Sequence, residues 1–196
     1  MCFLPTASGD SQPYVAIFYA AFARRAEASH LDLFGRTVGD LERFVLDQDV
    51  VYVGGGNTAN MLAVWRVHGL DRILARAWEA GIVLAGTSAG ANCWFEASST
   101  DSFGPLAALT DGLGFLPGSH SPHYDGEPGR RPLFHRLIGE GTLPDGHASD
   151  DGAALVFSDR ELVEAVASLP GARSYRIVRG PAGDVIETEL PTRYLG

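Results

Sequence analysis

The sequence predicts an α/β fold: a mostly parallel sheet with helices on both faces, closed by a β-hairpin at the carboxyl terminus. Three observations predict it. Val50-Val51-Tyr52-Val53 and Ile82-Val83-Leu84-Ala85 are short apolar runs rich in β-branched residues, the pattern of strands buried on both faces. Each run ends in a glycine-rich turn followed by helical periodicity, and strands alternating with helices build parallel sheets. Residues 173–178 and 185–190 alternate around Pro181-Ala182-Gly183-Asp184, which reads as a hairpin.

The other elements follow in order. Residues 1–6 read as a short buried strand, and Ser8-Gly9-Asp10-Ser11 as turn and cap. Pro13 stands near the first turn of a helix whose apolar face, over 14–28, carries Val15, Phe18, Ala21 and Phe22. A strand is expected over 31–34 and a short helix over 40–46. Helices are expected over 58–67 and over 71–80, the second capped by Asp71. A further helix is expected over 89–96. Residues 97–129 are rich in Gly, Pro, Ser and Asp and read mainly as loop, with one strand near 112–116. Residues 131–138 read as a helix and 153–157 as a strand, whereas 162–167 fit neither pattern cleanly.

A chain of 196 residues fits one domain, 1–196, with a core of its own. Hydrophobic residues at 45% and charged residues at 20% argue against disorder. No apolar run approaches the roughly 20 residues of a membrane helix. Met1-Cys2-Phe3-Leu4-Pro5-Thr6 has no basic region before it and reads as strand, so the expected location is cytoplasmic. The net charge of −9, from 24 acidic and 15 basic residues, disfavours nucleic acid as a partner. All basic residues are arginines, which excludes a Schiff-base lysine, a Walker-A lysine and a Ser-Lys dyad. Cys2 and Cys93 make no disulfide framework, and no helical His pair suggests a metal. The expectation is no cofactor, a small peptide as substrate, no nucleic-acid or membrane partner, and a homodimer as the assembly the sequence allows for.

Gly86-Thr87-Ser88-Ala89-Gly90 stands between a buried strand and a helix, the context that a nucleophile elbow requires. Small neighbours let the backbone at Ser88 turn sharply, and the helix amino terminus presents N–H groups where an oxyanion would form. Gly54-Gly55-Gly56-Asn57, at the end of the preceding strand, suits a second oxyanion donor, best placed at Gly55. A serine needs a base. His30 and His68 read as surface residues and His135 lies in a helix, leaving His120, His123 and His147 in loops. Pro122-His123-Tyr124 is the most constrained stretch, so His123 is favoured, with His120 second. Glu96, Asp101, Asp111, Asp150 and Asp151 are the candidate orienting acids, and composition does not choose among them. Asp151-Gly152 immediately precedes the strand from Ala153 and is well placed to face the base.

These residues resemble the peptidase E family of serine peptidases, whose fold is similar to that of class I glutamine amidotransferases. The motifs that carry the resemblance are Gly54-Gly55-Gly56-Asn57-Thr58, Gly86-Thr87-Ser88-Ala89-Gly90-Ala91-Asn92 and Pro122-His123-Tyr124, and it extends over nearly the whole chain. It implies Ser88 as nucleophile, His123 as base, and the Gly55 and Ala89 amides as oxyanion hole. The family's third triad position precedes a glycine, matching Asp151-Gly152, although its best-known members use glutamate there. The family typically removes an amino-terminal aspartate from Asp-X dipeptides, and the arginine pairing with that aspartate falls near Arg130 or Arg131. Family chains usually open with another strand, so the start is expected to lie upstream of Met1. They often carry a longer carboxyl-terminal tail.

The expected function is therefore hydrolysis of small peptides by a Ser88-His123-Asp151 triad. Asp-X activity is expected to be weak, because Glu127 stands beside Arg130 and Arg131 and because part of the pocket wall belongs to the longer tails. Two alternatives stand beside it. An α/β-hydrolase-type esterase would use the order Ser, Asp, His with Asp101 or Asp111, but the chain has no His-Gly-Gly-Gly motif. A non-catalytic small-molecule binder would keep the turn without a usable pocket. Ser88 in place of cysteine excludes a glutamine amidotransferase.

Overall fold

Short apolar strands carry a four-stranded, wholly parallel sheet in the first half of the chain. The computed structural model describes all residues, 1–196, which form two compact units, Met1–Ala91 and Asn92–Gly196. In the first unit the fully buried strand β1 (Cys2–Leu4) pairs with β2 (Ser29–His30) on one side and with β3 (Val50–Val53) on the other. Strand β4 (Val83–Gly86) lies beyond β3, giving the order β2-β1-β3-β4. The register pairs Leu4 with Val53 and Val53 with Gly86. The carboxyl ends of three strands are therefore level, and the turns that follow them are neighbours.

Helices α1 (Gln12–Phe22), α2 (Leu41–Leu46), α3 (Thr58–His68) and α4 (Leu70–Glu79) connect these strands. Phe3, Val15 and Phe18 form one buried cluster. Trp65 of α3 is fully buried and its indole N–H donates to the Thr6 hydroxyl at 3.1 Å, which removes the cost of burying that polar group. Three boundaries differ from expectation. Helix α1 stops at Phe22, not 28, because Ser29 must pair with Cys2 in the sheet. Residues 31–34 are not a strand: the Asp10 carboxylate takes the amides of Leu33 and Phe34, both at 2.7 Å. Gly69, at φ +70, ends α3 and opens α4 at once, so Asp71 sits in the first turn and is not the cap.

Helix α5 (Ala89–Asn92) has four residues, and the expected helix over 89–96 gives way to strand β5 (Phe95–Thr100). The second unit is a mixed sheet. After β5 come β6 (Ala107–Leu109), β7 (Leu116–Ser121), helix α6 (Arg130–Gly139) and β8 (Gly146–Ser149). A separate antiparallel pair, β9 (Ala153–Ser158) and β10 (Glu161–Ala167), precedes the hairpin of β11 (Ser174–Arg179) and β12 (Val185–Glu189). A last strand, β13 (Thr192–Tyr194), joins β10. The main sheet runs β12-β11-β8-β7-β5-β6, with β5, β7 and β8 parallel at its centre. Phe134, Ile138, Leu143, Ala148 and Ile177 are the middle of its core.

The segment 97–129 is thus not mainly loop. Ser98, Ser99, Thr100, Ser119 and Ser121 give it a loop-like composition, yet all five are buried strand residues. Local bonds make that burial tolerable: Ser99 Oγ meets Ser121 Oγ at 2.7 Å, and Ser119 donates to the Pro144 carbonyl at 2.7 Å. No helix is long and apolar enough to cross a membrane.

Candidate active site

In the first unit, Ser88 occupies the turn from β4 into α5 at φ +54. A non-glycine residue there is strained by roughly 1–3 kcal/mol and persists only where its surroundings fix it. The fixing is visible. Gly90 N–H donates to Thr87 O and Ala91 N–H to Ser88 O, both at 2.9 Å. A Cβ on Gly86 would collide with the Gly90 carbonyl, and one on Gly90 with the Val53 carbonyl. Both glycines of the elbow are therefore required by the close approach of the turn to its own helix and to β3. Ser88 is half-buried, and Ala89 behind it is buried.

The glycine run after β3 lies against this turn. A Cβ on Gly55 would stand 3.2 Å from Ser88 Cβ, so the Gly55 backbone and the serine are in contact range. Gly56, at φ +138, presses on the Ala7 carbonyl so closely that no side chain fits. Asn57 N–H donates to Ala7 O at 2.8 Å, and the Asn57 side chain caps α3 by accepting from Asn60 N–H at 2.8 Å. The Gly55 N–H donates to the Tyr14 hydroxyl at 3.1 Å. Tyr14 carries no motif, and the sequence reading did not single it out.

In the second unit, parallel strands β7 and β8 pair Ser121 with Ala148, and the loops leaving their carboxyl ends bring His123 beside Asp151. Nδ1 of His123 lies 2.6 Å from Asp151 Oδ1. His123 stands at φ +52, a second strained position. The loop is tied down on either side by Tyr124 N–H to Ser149 O at 3.1 Å and by Asp151 N–H to Asp125 Oδ1 at 2.9 Å. Of the other candidate acids, Glu96 accepts from Gly118 N–H at 2.9 Å, and Asp150 from Arg173 N–H at 2.9 Å and the Tyr175 hydroxyl at 3.3 Å. Asp101 and Asp111 are exposed.

His120 has a different role. It is buried, stacked on Phe95 at 5.0 Å, and its Nδ1 meets Asn92 Oδ1 at 2.9 Å. Burial pushes its imidazole down to about 3, and the neighbouring His147 and Arg130 act in the same direction. A neutral, enclosed ring of this kind braces β5 against β7. The Asn92 amide also donates to Ser99 O at 3.2 Å, so the last residue of the elbow motif serves the packing of the second unit.

One further contact bears on the His123-Asp151 pair. A Cβ on Gly126 would stand 2.5 Å from Asp151 Oδ2. The carboxylate is the mobile partner in that clash, so it would swing away from His123. Gly126→Ala is expected to leave the melting temperature nearly unchanged while breaking the His123 Nδ1 to Asp151 Oδ1 contact. Melting curves and the His123 ring N–H proton resonance on the same preparation check this.

Arg130 and Arg131 stand at the start of α6, which begins one residue before the helix expected over 131–138. Arg130 is buried, with Nε donating to Glu127 Oε2 at 2.9 Å and Nη1 to Ser99 O at 3.2 Å. Arg131 pairs with Glu187, and its guanidinium lies over the rings of Tyr124 and Tyr175 at 5.2 and 5.1 Å. Glu187 also accepts from Tyr124 and meets His135, both at 2.7 Å. Burial raises the Glu187 carboxyl, but the bonds from Arg131, Tyr124 and His135 outweigh it and hold the group below its ordinary value.

The model of peptidase family S51 matches residues 1–165. The uncharacterized peptidase YgaJ of Bacillus subtilis (strain 168) is 53% identical over 197 residues, covering 100% of this chain and 85% of that protein. Peptidase E of Streptomyces coelicolor is 32% identical over 66% of this chain, although the match spans only 53% of that protein. Among solved structures, a peptidase from an acI-B1 Actinobacterium superposes with a TM-score of 0.67 at 18% identity, covering 98% of this chain and 80% of that one. A Listeria monocytogenes EGD-e protein assigned to peptidase E gives 0.57 at 22% identity, covering 97% and 85%. These structures share the α/β, class I glutamine amidotransferase-like fold. A family model spanning most of the residues and a relative more than half identical along the full length place this chain in peptidase family S51.

Proposed function

We propose that this chain is a serine-type peptidase of short peptides, with Ser88 as nucleophile, His123 as base and Asp151 as the acid that orients it. What supports the reading most directly is the 2.6 Å bond between His123 Nδ1 and Asp151 Oδ1. That bond fixes the tautomer with the proton on Nδ1 and leaves Nε2 as the acceptor a serine requires. The strained backbone at both Ser88 and His123 also supports it, since such strain collects at active sites.

In the proposed cycle Ser88 Oγ attacks the scissile carbonyl carbon. The new C–O bond forms as the carbonyl π pair moves onto oxygen and the serine proton passes to His123 Nε2. The Ala89 amide and a donor at the Gly55 turn stabilise the oxyanion. The oxyanion collapses, the C–N bond breaks, and His123 returns the proton to the leaving amine. Water then attacks the acyl-enzyme by the same route and releases the acid. Asp151 accepts from His123 Nδ1–H throughout and stabilises the imidazolium. We place this work in the cytoplasm, a reducing compartment suited to the buried thiols Cys2 and Cys93.

Asp-X dipeptides are a poor fit to the two arginines. Recognition of an aspartate side chain needs a guanidinium free to make a bidentate pair, and Glu127 and Glu187 already neutralise Arg130 and Arg131. The experiment is a steady-state screen over Asp-X, Glu-X and neutral dipeptides. At least one short peptide should be cleaved in a Ser88-dependent manner, with kcat/KM on Asp-Leu below about 10⁴ M⁻¹s⁻¹. A higher value that collapses in Arg130→Ala or Arg131→Ala would restore aspartyl specificity. Folded protein inert on every peptide would refute the proposal.

A further inference from the structure

The Gly55 amide, one of the two proposed oxyanion donors, already has a partner, the Tyr14 hydroxyl at 3.1 Å. The placement is built from the sequence upward. Pro13 opens α1, and Tyr14 N–H donates to Ser11 O at 3.0 Å in its first turn. The Tyr14 ring meets Phe3 of β1 edge-on, at 5.3 Å and 63°. Phe3 is itself stacked on Phe18 at 4.8 Å and 12°. A Cβ on Gly54 would lie 3.3 Å from Tyr14 Cε1, so the ring rests against the glycine run. A Cβ on Gly55 would stand 3.6 Å from the Tyr14 oxygen and 3.2 Å from Ser88 Cβ. Hydroxyl, amide and nucleophile thus converge within the width of one residue, all in the first unit. Tyr14 is half-buried, apolar at its ring and polar where it meets Gly55.

A tyrosine hydroxyl has one proton to donate and two lone pairs to accept with. The bond from Gly55 uses a lone pair and leaves the proton available. An N–H donating into the oxygen polarises the O–H bond and makes it a stronger donor. Resting on the reading of Ser88 as nucleophile, we propose that Tyr14 is a catalytic residue, the side-chain donor of the oxyanion hole. Gly55 acts through it, orienting the hydroxyl so that its proton, with the Ala89 N–H, faces the developing negative oxygen. The rival arrangement makes Tyr14 a placeholder, which covers the Gly55 amide until a substrate carbonyl displaces it. The two differ in sign: removing a donor slows the reaction, whereas removing a placeholder leaves it unchanged or speeds it.

Diisopropyl fluorophosphate tests this without a known substrate. Ser88 Oγ forms a bond to phosphorus, the P–F bond breaks, fluoride leaves, the serine proton passes to His123, and the phosphoryl oxygen takes the oxyanion position. In Tyr14→Phe the bond-forming rate constant for Ser88 labelling should fall about 10²-fold, the usual cost of one oxyanion donor, with the saturation constant unchanged. Tyr19→Phe is the control. It removes a hydroxyl from the same aromatic cluster, one bonded to His30 Nδ1 at 2.9 Å, and should label at the wild-type rate. Melting curves confirm that each variant is folded. Labelling of Tyr14→Phe at or above the wild-type rate, with Ser88→Ala unlabelled, overturns the role of Tyr14 and leaves the nucleophile standing. Labelling slowed equally in Tyr19→Phe also overturns it, since the loss would then follow from the aromatic cluster and not from the donor. An unlabelled Ser88 in the folded wild type overturns the proposed function, and this inference with it.

Discussion

Ser88→Ala is expected to remove turnover by on the order of 10⁶, the loss typical when a triad nucleophile is deleted. The fold should survive, because alanine keeps the Cβ that packs against Gly55 and the backbone bonds of the elbow use the Ser88 carbonyl and not its hydroxyl. The strain at φ +54 is the same for both residues, so the melting temperature should stay within a few degrees. Hydrolysis of whichever dipeptide the screen identifies is the measurement. A Ser88→Ala protein with near-normal kcat would mean that the reaction uses another group.

Asp151→Asn should follow, with a loss of roughly 10⁴ in kcat. The reason lies in the proton inventory of the 2.6 Å contact. A carboxylate only accepts, so His123 Nδ1 must donate to it and Nε2 is left to receive the serine proton. An asparagine amide turned to donate its N–H would place the histidine proton on Nε2, where it blocks that transfer. Asp151 is exposed enough that the substitution leaves no buried unpaired group, so the protein should stay folded. KM should change little, because the carboxylate acts on the histidine and not on the substrate. A kcat within tenfold of wild type would remove Asp151 from the mechanism.

The parts of the fold legible in the sequence were those where side chain and position agree. Val50–Val53 is rich in β-branched residues, with Val51 and Val53 fully buried, and the closing hairpin announces itself through Pro181 and Gly183. Strands β5 and β7 were not legible, because Ser98, Ser99, Ser119 and Ser121 are the residues of a loop. Only pairing across the sheet and between hydroxyls lets them stay buried. The helix after Ser88 looked longer because the pattern through Glu96 suits a helix, and tertiary pairing of Phe95 overrode it. At the site, glycine spacing and Pro122-His123-Tyr124 carried a local signal. Tyr14 and Gly126 did not, since each acts through a contact distant in sequence, and Asn92 stood in a motif that gave no sign of its bonds to Ser99 and His120. The one hint for Tyr14 was its place in the first turn of a helix that follows the first strand.

The location of a covalent adduct tests the central claim most directly. With no lysine in the chain, trypsin releases Ser88 within the long peptide 77–130, and fragmentation mass spectrometry then distinguishes it from the other serines there. After treatment of the folded protein with diisopropyl fluorophosphate, the account predicts one phosphorylated serine, Ser88, and no adduct at that position in His123→Ala over the same time. An adduct on a different serine, or undiminished labelling of Ser88 without His123, would contradict it.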